Sequence, residues 1–447
     1  MSAPGDERQR HDPFAALRQP NFLAYAWSRL CASTAMTLLT AVIAWQVYQI
    51  SGSALQLGLL GLTRFVPSLG LSLIGGAFAD SYNRKRIIMA AQAVPLAASA
   101  TLFVSTMNGW VTIPLIYAMV LLVAVAAAFE NPARQSILPM VVRRETFPNA
   151  IVVSSTVQSF GFVSGPALGG IMIGLAGTDG AYAVHMGLMV GSLAGMVLLR
   201  PRAVEGERRA VSLAAIKEGV QFVYRRQVLL GAMTLDMFAV IFGGATALLP
   251  VYATDILDVG PRGYGILSAS LEAGALLAAL SMVFLPPIRP AGRALLISVA
   301  LFGLGTMVFG LSRAFPLSVA TYMFIGMADQ VSVVMRQTTI QLSTPDELRG
   351  RVSSVNMLFI GASNQLGAME SGFVAALTNA TFAVVSGGAG CLAVVGVVAA
   401  KMPELRRYRV VTTVVAREEG GGRREESAPP ARPEARGERR ESGPGDR

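Results

Sequence analysis

Charge is what this chain has least of. Only 14% of its 447 residues are Asp, Glu, Lys or Arg, where a soluble protein carries about 25%. So few charges cannot cover the surfaces of the two or three globular domains this length would otherwise make. Histidine and cysteine are scarcer still, with two of each. There is no His-Glu-x-x-His pair and no Gly-x-x-x-x-Gly-Lys phosphate loop. A zinc hydrolase centre and a nucleotide-driven motor therefore have no residues to be built from. The chain is expected not to be an enzyme, and to need no metal and no cofactor. Cys31 and Cys391 fall in different apolar runs and require no disulfide. Residues 1–17 are polar, hold acids and lack a short apolar core with a cleavage site, so no removable leader is expected there.

Long apolar runs are what the chain has instead. Its apolar share is 53% and its mean hydropathy +0.53. About 20 apolar residues at ~1.5 Å each cross a ~30 Å hydrocarbon core. Twelve such runs are readable, at 22–49, 56–79, 86–108, 111–133, 147–175, 182–200, 228–254, 263–286, 293–312, 315–340, 350–377 and 381–402. Barrel strands would alternate in polarity, and these runs do not. The fold expected is an all-α integral membrane protein of twelve transmembrane helices, with the lipid bilayer as its first partner.

The net charge of +10 follows topology. Basic residues gather near the N terminus (Arg8, Arg10, Arg18), after the second run (Arg84, Lys85, Arg86) and after the fourth (Arg134, Arg143, Arg144). They recur from Arg200 to Arg226, after the eighth run (Arg289, Arg293), after the tenth (Arg349, Arg351) and in the tail, while the intervening loops hold only Arg262 and Arg313. Every second loop is positive, which assigns that side to the cytoplasm of a cell inner (plasma) membrane, with both termini there. No nucleic-acid partner is expected.

The chain also repeats itself. Setting residues 131–150 against 333–352 places Arg134 on Arg336 and Gln135 on Gln337, an offset of 202 residues. The same offset places Glu145 on Glu347, Gly165 on Gly367 and Gly170 on Gly372. Two six-helix repeats are expected, an N-terminal half at 22–200 and a C-terminal half at 228–402. A cytoplasmic segment (1–21) precedes them and a cytoplasmic central loop (201–227) joins them. In that loop, residues 212–226 have apolar side chains at helical spacing after a Ser212 cap, and read as a helix on the membrane surface. Residues 403–447 are rich in Arg, Glu, Gly and Pro, cannot bury a core, and are expected to form a disordered cytoplasmic tail. Parallel six-helix repeats around a midplane substrate path are an architecture of alternating-access transporters. A small-molecule substrate is therefore the second expected partner.

Two motifs sharpen this. GGAFADSYNRKR (75–86) sets Gly76, Asp80, Arg84 and Arg86 in one register. It resembles the loop signature G-x-x-x-D-x-x-x-R-x-K/R of the major facilitator superfamily. Asp80, at the end of its run, can pair with Arg84 or meet a helix N-terminus, where partial positive charge favours an anion. The eleventh run opens on Thr344-Pro345-Asp346-Glu347, a capping-box pattern. The resemblance implies that Asp80 latches near that helix in the outward-open state and lets go when the halves rock. In the fifth run, Gly161, Gly165, Pro166, Gly169 and Gly170 match the superfamily's antiporter signature G-x-x-x-G-P-x-x-G-G. Small residues four apart allow close helix packing, and proline removes a backbone bond. The stretches ALRQPNFLAYAWSRLCASTAMTLLTAVIAWQVYQ and FENPARQSILPMVV further resemble the enterobactin-exporter-like branch, the transmembrane secretion effectors. That likeness implies the major facilitator fold and proton-driven efflux of siderophores or drug-like amphiphiles; the chain is expected to function as a monomer.

Charges inside apolar runs are costly and so are functional candidates: Arg29, Arg64, Glu130, Asp236, Glu272, Asp329 and Glu370. Glu272 and Glu370 sit deep among small and apolar residues, where the neutral carboxyl competes well with the charged one, as a proton carrier requires. Arg29 and Asp236 lie in the first helix of their halves, and with the two glutamates are candidates for proton coupling or substrate binding. Glu130, Arg134, Asp329 and Arg336 are nearer the cytoplasmic ends and read as salt bridges between the halves. Tyr25, Trp45 and Phe65 are candidate pocket aromatics, and His185 reads as an interfacial residue. The function expected is proton-coupled export of a small amphiphile by alternating access. An importer of the same fold shares every feature except the Gly-Pro signature and stays open as the alternative.

Overall fold

Hydrocarbon offers the backbone no hydrogen-bond partner, so a spanning segment must satisfy its own amides as a helix. The computed structural model describes residues 15–202, 213–286, 288–345 and 348–409. Before the linker come α1 (Pro20–Ser51), α2 (Ala54–Ser81), α3 (Arg84–Met107), α4 (Ile113–Val141) and α5 (Phe147–Leu198). The linker carries α6 (Leu213–Arg225). After it come α7 (Gln227–Phe242), α8 (Gly260–Phe284), α9 (Ala291–Leu311), α10 (Phe315–Ser343), α11 (Arg349–Leu377) and α12 (Ala380–Lys401). Among the described residues, nine helices are long and apolar enough to cross a membrane, counting α7 and its continuation to Ile256 as one.

Local sequence explains the boundaries. Proline near the start of α1, α4, α5, α8 and α10 costs no bond, because a first-turn amide has no helical acceptor. Gly52 ends α1 in the left-handed conformation (φ 57°). The expected runs 147–175 and 182–200 are two helices, labelled together as α5, that meet at a kink at Gly177 (φ 76°, ψ 179°). The reversal between those runs is thus made by one glycine, and Pro166 lies inside helical backbone. The expected capping box is not where the eleventh run begins. Thr344 turns its hydroxyl back to the Ile340 carbonyl at 2.6 Å, α11 starts at Arg349, and residues 346–347 lie outside the described ones.

The helices before the linker pack on one another, as do those after it. The two sets meet where α2 crosses α11 and α5 crosses α8. One end of the molecule carries most of the basic side chains. Here Asn21 bonds the Arg200 backbone, Lys85 caps the Val197 and Leu199 carbonyls at 2.8 and 2.7 Å, and the Arg202 amide bonds the Met140 carbonyl. α6 lies at this end, its Val223 packed with Leu229, Ile340 and Val355, and its Glu218 paired with Arg351 at 2.5 Å. Residues 403–409, expected to belong to the tail, also pack here: Leu405 is fully buried and the Tyr408 carbonyl accepts from the Gly292 amide. At the far end, a core of Leu38, Val42, Trp45, Tyr182, Tyr252, Tyr264 and Tyr322 draws on both sets. Outward-facing apolar side chains such as Val283 and Phe284 are almost fully exposed, as lipid contact allows.

Candidate functional site

A cavity of about 430 Å³ lies between the two sets, within the ~300–1,000 Å³ typical of small-molecule sites. α1 lines it with Thr37 and Thr40, α2 with Gly61 and Arg64, and α5 with Phe162 and Pro166. From the second set come Tyr264 and Glu272 of α8, Phe302 of α9, Tyr322 and Asp329 of α10, and Asn364 of α11. α7 gives way to a short 3₁₀ segment at Gly244–Leu248, and Gly243, Gly244 and Thr246 of that break line the cavity too. The wall is largely apolar, with one cationic and two anionic side chains. Such charges are tolerated at membrane depth where they face a cavity that water or substrate can enter.

Glycine sets how close the cavity walls stand at the far end. A Cβ added at Gly170 would stand 2.5 Å from the Gly265 Cα, so α5 meets α8 backbone to backbone. A Cβ at Gly58 would stand 3.0 Å from the Gly372 Cα, and one at Gly61 2.8 Å from the Ala368 Cβ, which brings α2 equally close to α11. The Tyr264 hydroxyl donates to the Ala41 carbonyl at 3.0 Å, and the Tyr48 hydroxyl donates to Asp255. Both bonds join one set to the other.

The antiporter-type motif divides between two jobs. Gly161 and Gly165 face α1: an added Cβ at Gly165 would press on Thr37 and stand 2.6 Å from the Thr34 carbonyl oxygen. Thr37 also donates to the Gly161 carbonyl at 3.1 Å. Gly170 faces the other set, Pro166 faces the cavity, and Gly169 makes ordinary 3.6 Å contacts with Leu38 and Val42. Of the loop motif, Arg84 lies in the first turn of α3 and donates to the Met140 sulfur at 3.1 Å, while Arg86 is exposed. Gly76 and Asp80 fall near the end of α2, but the packing at Gly76 and the Asp80 side chain lie outside what is described, as do the expected partners at 346–347.

The charged candidates sort into two groups. Glu272 and Asp329 line the cavity. Arg29, Asp236 and Glu370 do not: Arg29 donates to Gln158 of α5, Asp236 pairs with Arg336 at 3.1 Å, and Glu370 accepts from Ser371 at 3.3 Å. The four expected salt-bridge residues do not join the two sets in this conformation. Arg134 pairs with Glu130 one turn away, and Gln92 donates to the same carboxylate at 3.0 Å. Arg336 is held by Asp236 and by Asn356 at 3.0 Å, while Asp329 turns to the cavity. The reason is geometric: each arginine finds its carboxylate inside its own set, and a buried guanidinium left without one is heavily penalised. His185 is likewise fully buried and bonded to Ser99 at 2.7 Å. Tyr25, Trp45 and Phe65 are not in the cavity wall, where Tyr264, Tyr322, Phe162 and Phe302 stand instead. Arg64 was visible in the sequence as a charge in an apolar run, and its place opposite the two acids comes only from the packing.

Comparison with known proteins agrees with this architecture. The model of the family described as transmembrane secretion effector matches residues 11–414. The multidrug efflux pump Tap of Mycolicibacterium fortuitum is 26% identical over 397 residues, covering 86% of this chain and 96% of that protein. The enterobactin exporter EntS of Escherichia coli O1:K1 is 24% identical over 392 residues, covering 87% and 94%. Among solved structures, a bacterial homologue of the human lysosomal transporter Spinster, inward-facing and unoccupied, aligns with a TM-score of 0.68 at 16% identity, covering 88% of this chain and 97% of that one. The nucleoside transporter NupG aligns at 0.67 and 12% identity, covering 85% and 99%. At such identities the structures establish the shared fold, and the matched family model establishes the lineage. The chain belongs to the transmembrane secretion effector family, a group of multi-pass membrane transporters of the major facilitator superfamily and not of enzymes.

Proposed function

We propose that this chain is a proton-coupled exporter of a small amphiphile, working by alternating access in the cell inner membrane with both termini cytoplasmic. The observation that carries the reading is the cavity between the two sets, which holds Glu272 and Asp329 on one wall and Arg64 on the other. Protonation of Glu272 from outside removes a charge from this space and favours return of the empty carrier, and release of that proton inside resets it. Arg64 provides a counter-charge for an anionic group of the substrate. The relatives are named as a multidrug pump and an enterobactin exporter, which favours outward transport of a drug-like or siderophore-like molecule over import. The 202-residue repeat and the run pattern support twelve spans in two six-helix halves. On this reading, Gly76, Asp80, Arg84 and Arg86 form a latch on the cytoplasmic side that holds the outward-open state.

The test is transport by the purified protein in proteoliposomes. Amphiphilic dyes and siderophores are loaded and a pH gradient is imposed. Export should accelerate with the gradient, and Glu272→Gln should abolish the acceleration while leaving exchange of substrate against substrate. Efflux indifferent to the gradient sinks the coupling, and uptake against a substrate gradient sinks the direction.

A further inference from the structure

A second groove, of about 810 Å³, lies outside the central cavity at the basic end, between the start of α1 and the ends of α4 and α5. Its wall combines two chemistries. Leu23, Trp27 and Leu198 line it with large apolar side chains that are 53%, 54% and 71% exposed, which on a membrane helix is a surface for acyl chains. Arg143, Arg200 and Arg202 line the same groove, and all three are exposed. Their positions are built. Asn21 holds the Arg200 amide and carbonyl at 3.2 and 3.0 Å, and the Arg202 amide bonds Met140 of α4 at 2.9 Å. The neighbouring Lys85 is already used in capping α5. Among the described residues, the ion pairs are Glu130–Arg134, Asp236–Arg336 and Glu218–Arg351, and none involves these three guanidinium groups.

We propose that this groove binds an anionic phospholipid, phosphatidylglycerol or cardiolipin, with its phosphate on Arg143, Arg200 and Arg202 and an acyl chain along Leu23, Trp27 and Leu198. Guanidinium groups match phosphate oxygens in charge and geometry, and basic pockets between helix ends are a recurrent way of holding such head groups. A tryptophan at the rim of an acyl groove suits the same interface. The assignment does not depend on the direction or driving force of transport.

Trp27 supplies the probe. The protein is reconstituted in phosphatidylcholine vesicles and titrated with phosphatidylglycerol brominated on its acyl chains, with brominated phosphatidylcholine as reference. The quenching that disappears in Trp27→Phe reports the groove, since Trp45 is buried and Trp110 lies at the opposite end of the helices. Each interfacial arginine favours anionic over zwitterionic lipid by on the order of fivefold, so the wild-type preference should be tenfold or more (roughly, at low salt) and should shrink at high salt. Arg143→Gln with Arg200→Gln and Arg202→Gln should bring the preference close to one. The corresponding triple lysine variant should keep most of it, which separates lost charge from lost fold. A wild-type preference near one overturns the proposal, as does a preference that survives the triple Gln variant. A preference that emerges only with Glu205→Gln and Glu207→Gln shows that the linker's own acids fill the groove, and overturns it as well.

Discussion

Gly165 packs α5 onto α1, the first helix of its set, and Gly367 packs α11 onto α7, the first helix of the other. Gly170 meets Gly265 of α8 across the divide, and Gly372 meets Gly58 of α2 in the same manner. Both pairs are related by the 202-residue offset, and each pair makes equivalent contacts. The buried arginines follow suit: Arg134 and Arg336 are 4% and 3% exposed and each has its carboxylate within its own set. Where the sets differ is in what they show the cavity. Arg64 follows Gly58 by six residues on α2, Glu272 follows Gly265 by seven on α8, and so nearly equivalent positions carry opposite charge. Backbone geometry has been kept in common while the cavity-facing chemistry has diverged. Packing constrains a glycine contact tightly, because an added side chain would force the facing backbone to shift, whereas a cavity wall accepts any residue whose charge the contents can solvate.

The comparison can be broken most forcefully at the arginines. Asp236→Ala strands a buried guanidinium and should cost about 3–5 kcal/mol, read as a fall in the thermal unfolding midpoint in detergent. Glu130→Gln keeps a polar partner for both Arg134 and Gln92, and should cost about 1–3 kcal/mol. Equal losses would mean that the two arginines are not held alike. The glycine contacts come next. Gly170→Val should cost roughly 1–3 kcal/mol through overpacking and hold the sets apart at the far end, with transport lost. Gly169→Ala, which meets only ordinary contacts, should transport at near wild-type rate. Gly372→Val should behave like Gly170→Val, and if it is silent the equivalence fails.

A smaller effect sharpens the difference between the acids. Glu370→Gln, away from the cavity, should change gradient-driven efflux less than about twofold, against tenfold or more for Glu272→Gln, given that a charge facing the cavity is the one that does the work. A single bond between the sets is tested by Tyr48→Phe, which should lower stability by about 1–2 kcal/mol. Its readout is easier opening of the far end, measured as faster labelling of a cysteine placed at Thr40.

Much of this was legible from residue order. Apolar runs mark helices because length and composition suffice for a span, and the offset glycines could be aligned because packing holds them in register. Glu130 and Arg134 stand one helical turn apart in sequence, yet both read as bridges between the halves, and the structure pairs them with each other. The counterpart pair was not legible, since Asp236 and Arg336 lie 100 residues apart and only tertiary packing joins them. Nor could order tell which of seven charges face the cavity. A membrane helix is apolar on its lipid side and its packed side alike, so no polarity stripe reports its rotation. That is why Asp329 read as a bridge and Arg64 went unranked, and why His185 read as interfacial. The break between the runs 147–175 and 182–200 was legible in residue order too, and the kink falls inside it at Gly177, with φ 76°.

The break after α7 has a consequence for how such a protein changes over generations. Gly243, Gly244, Ala245 and Thr246 meet the cavity where the chain leaves α-helical geometry, so part of the wall is main chain. No substitution removes a peptide carbonyl. Substitution can alter the aromatic and charged side chains around the cavity one at a time, while the main chain at Gly243 and Gly244 is inherited unchanged. Breadth of substrate range then evolves on one side of the space against a constant reference on the other.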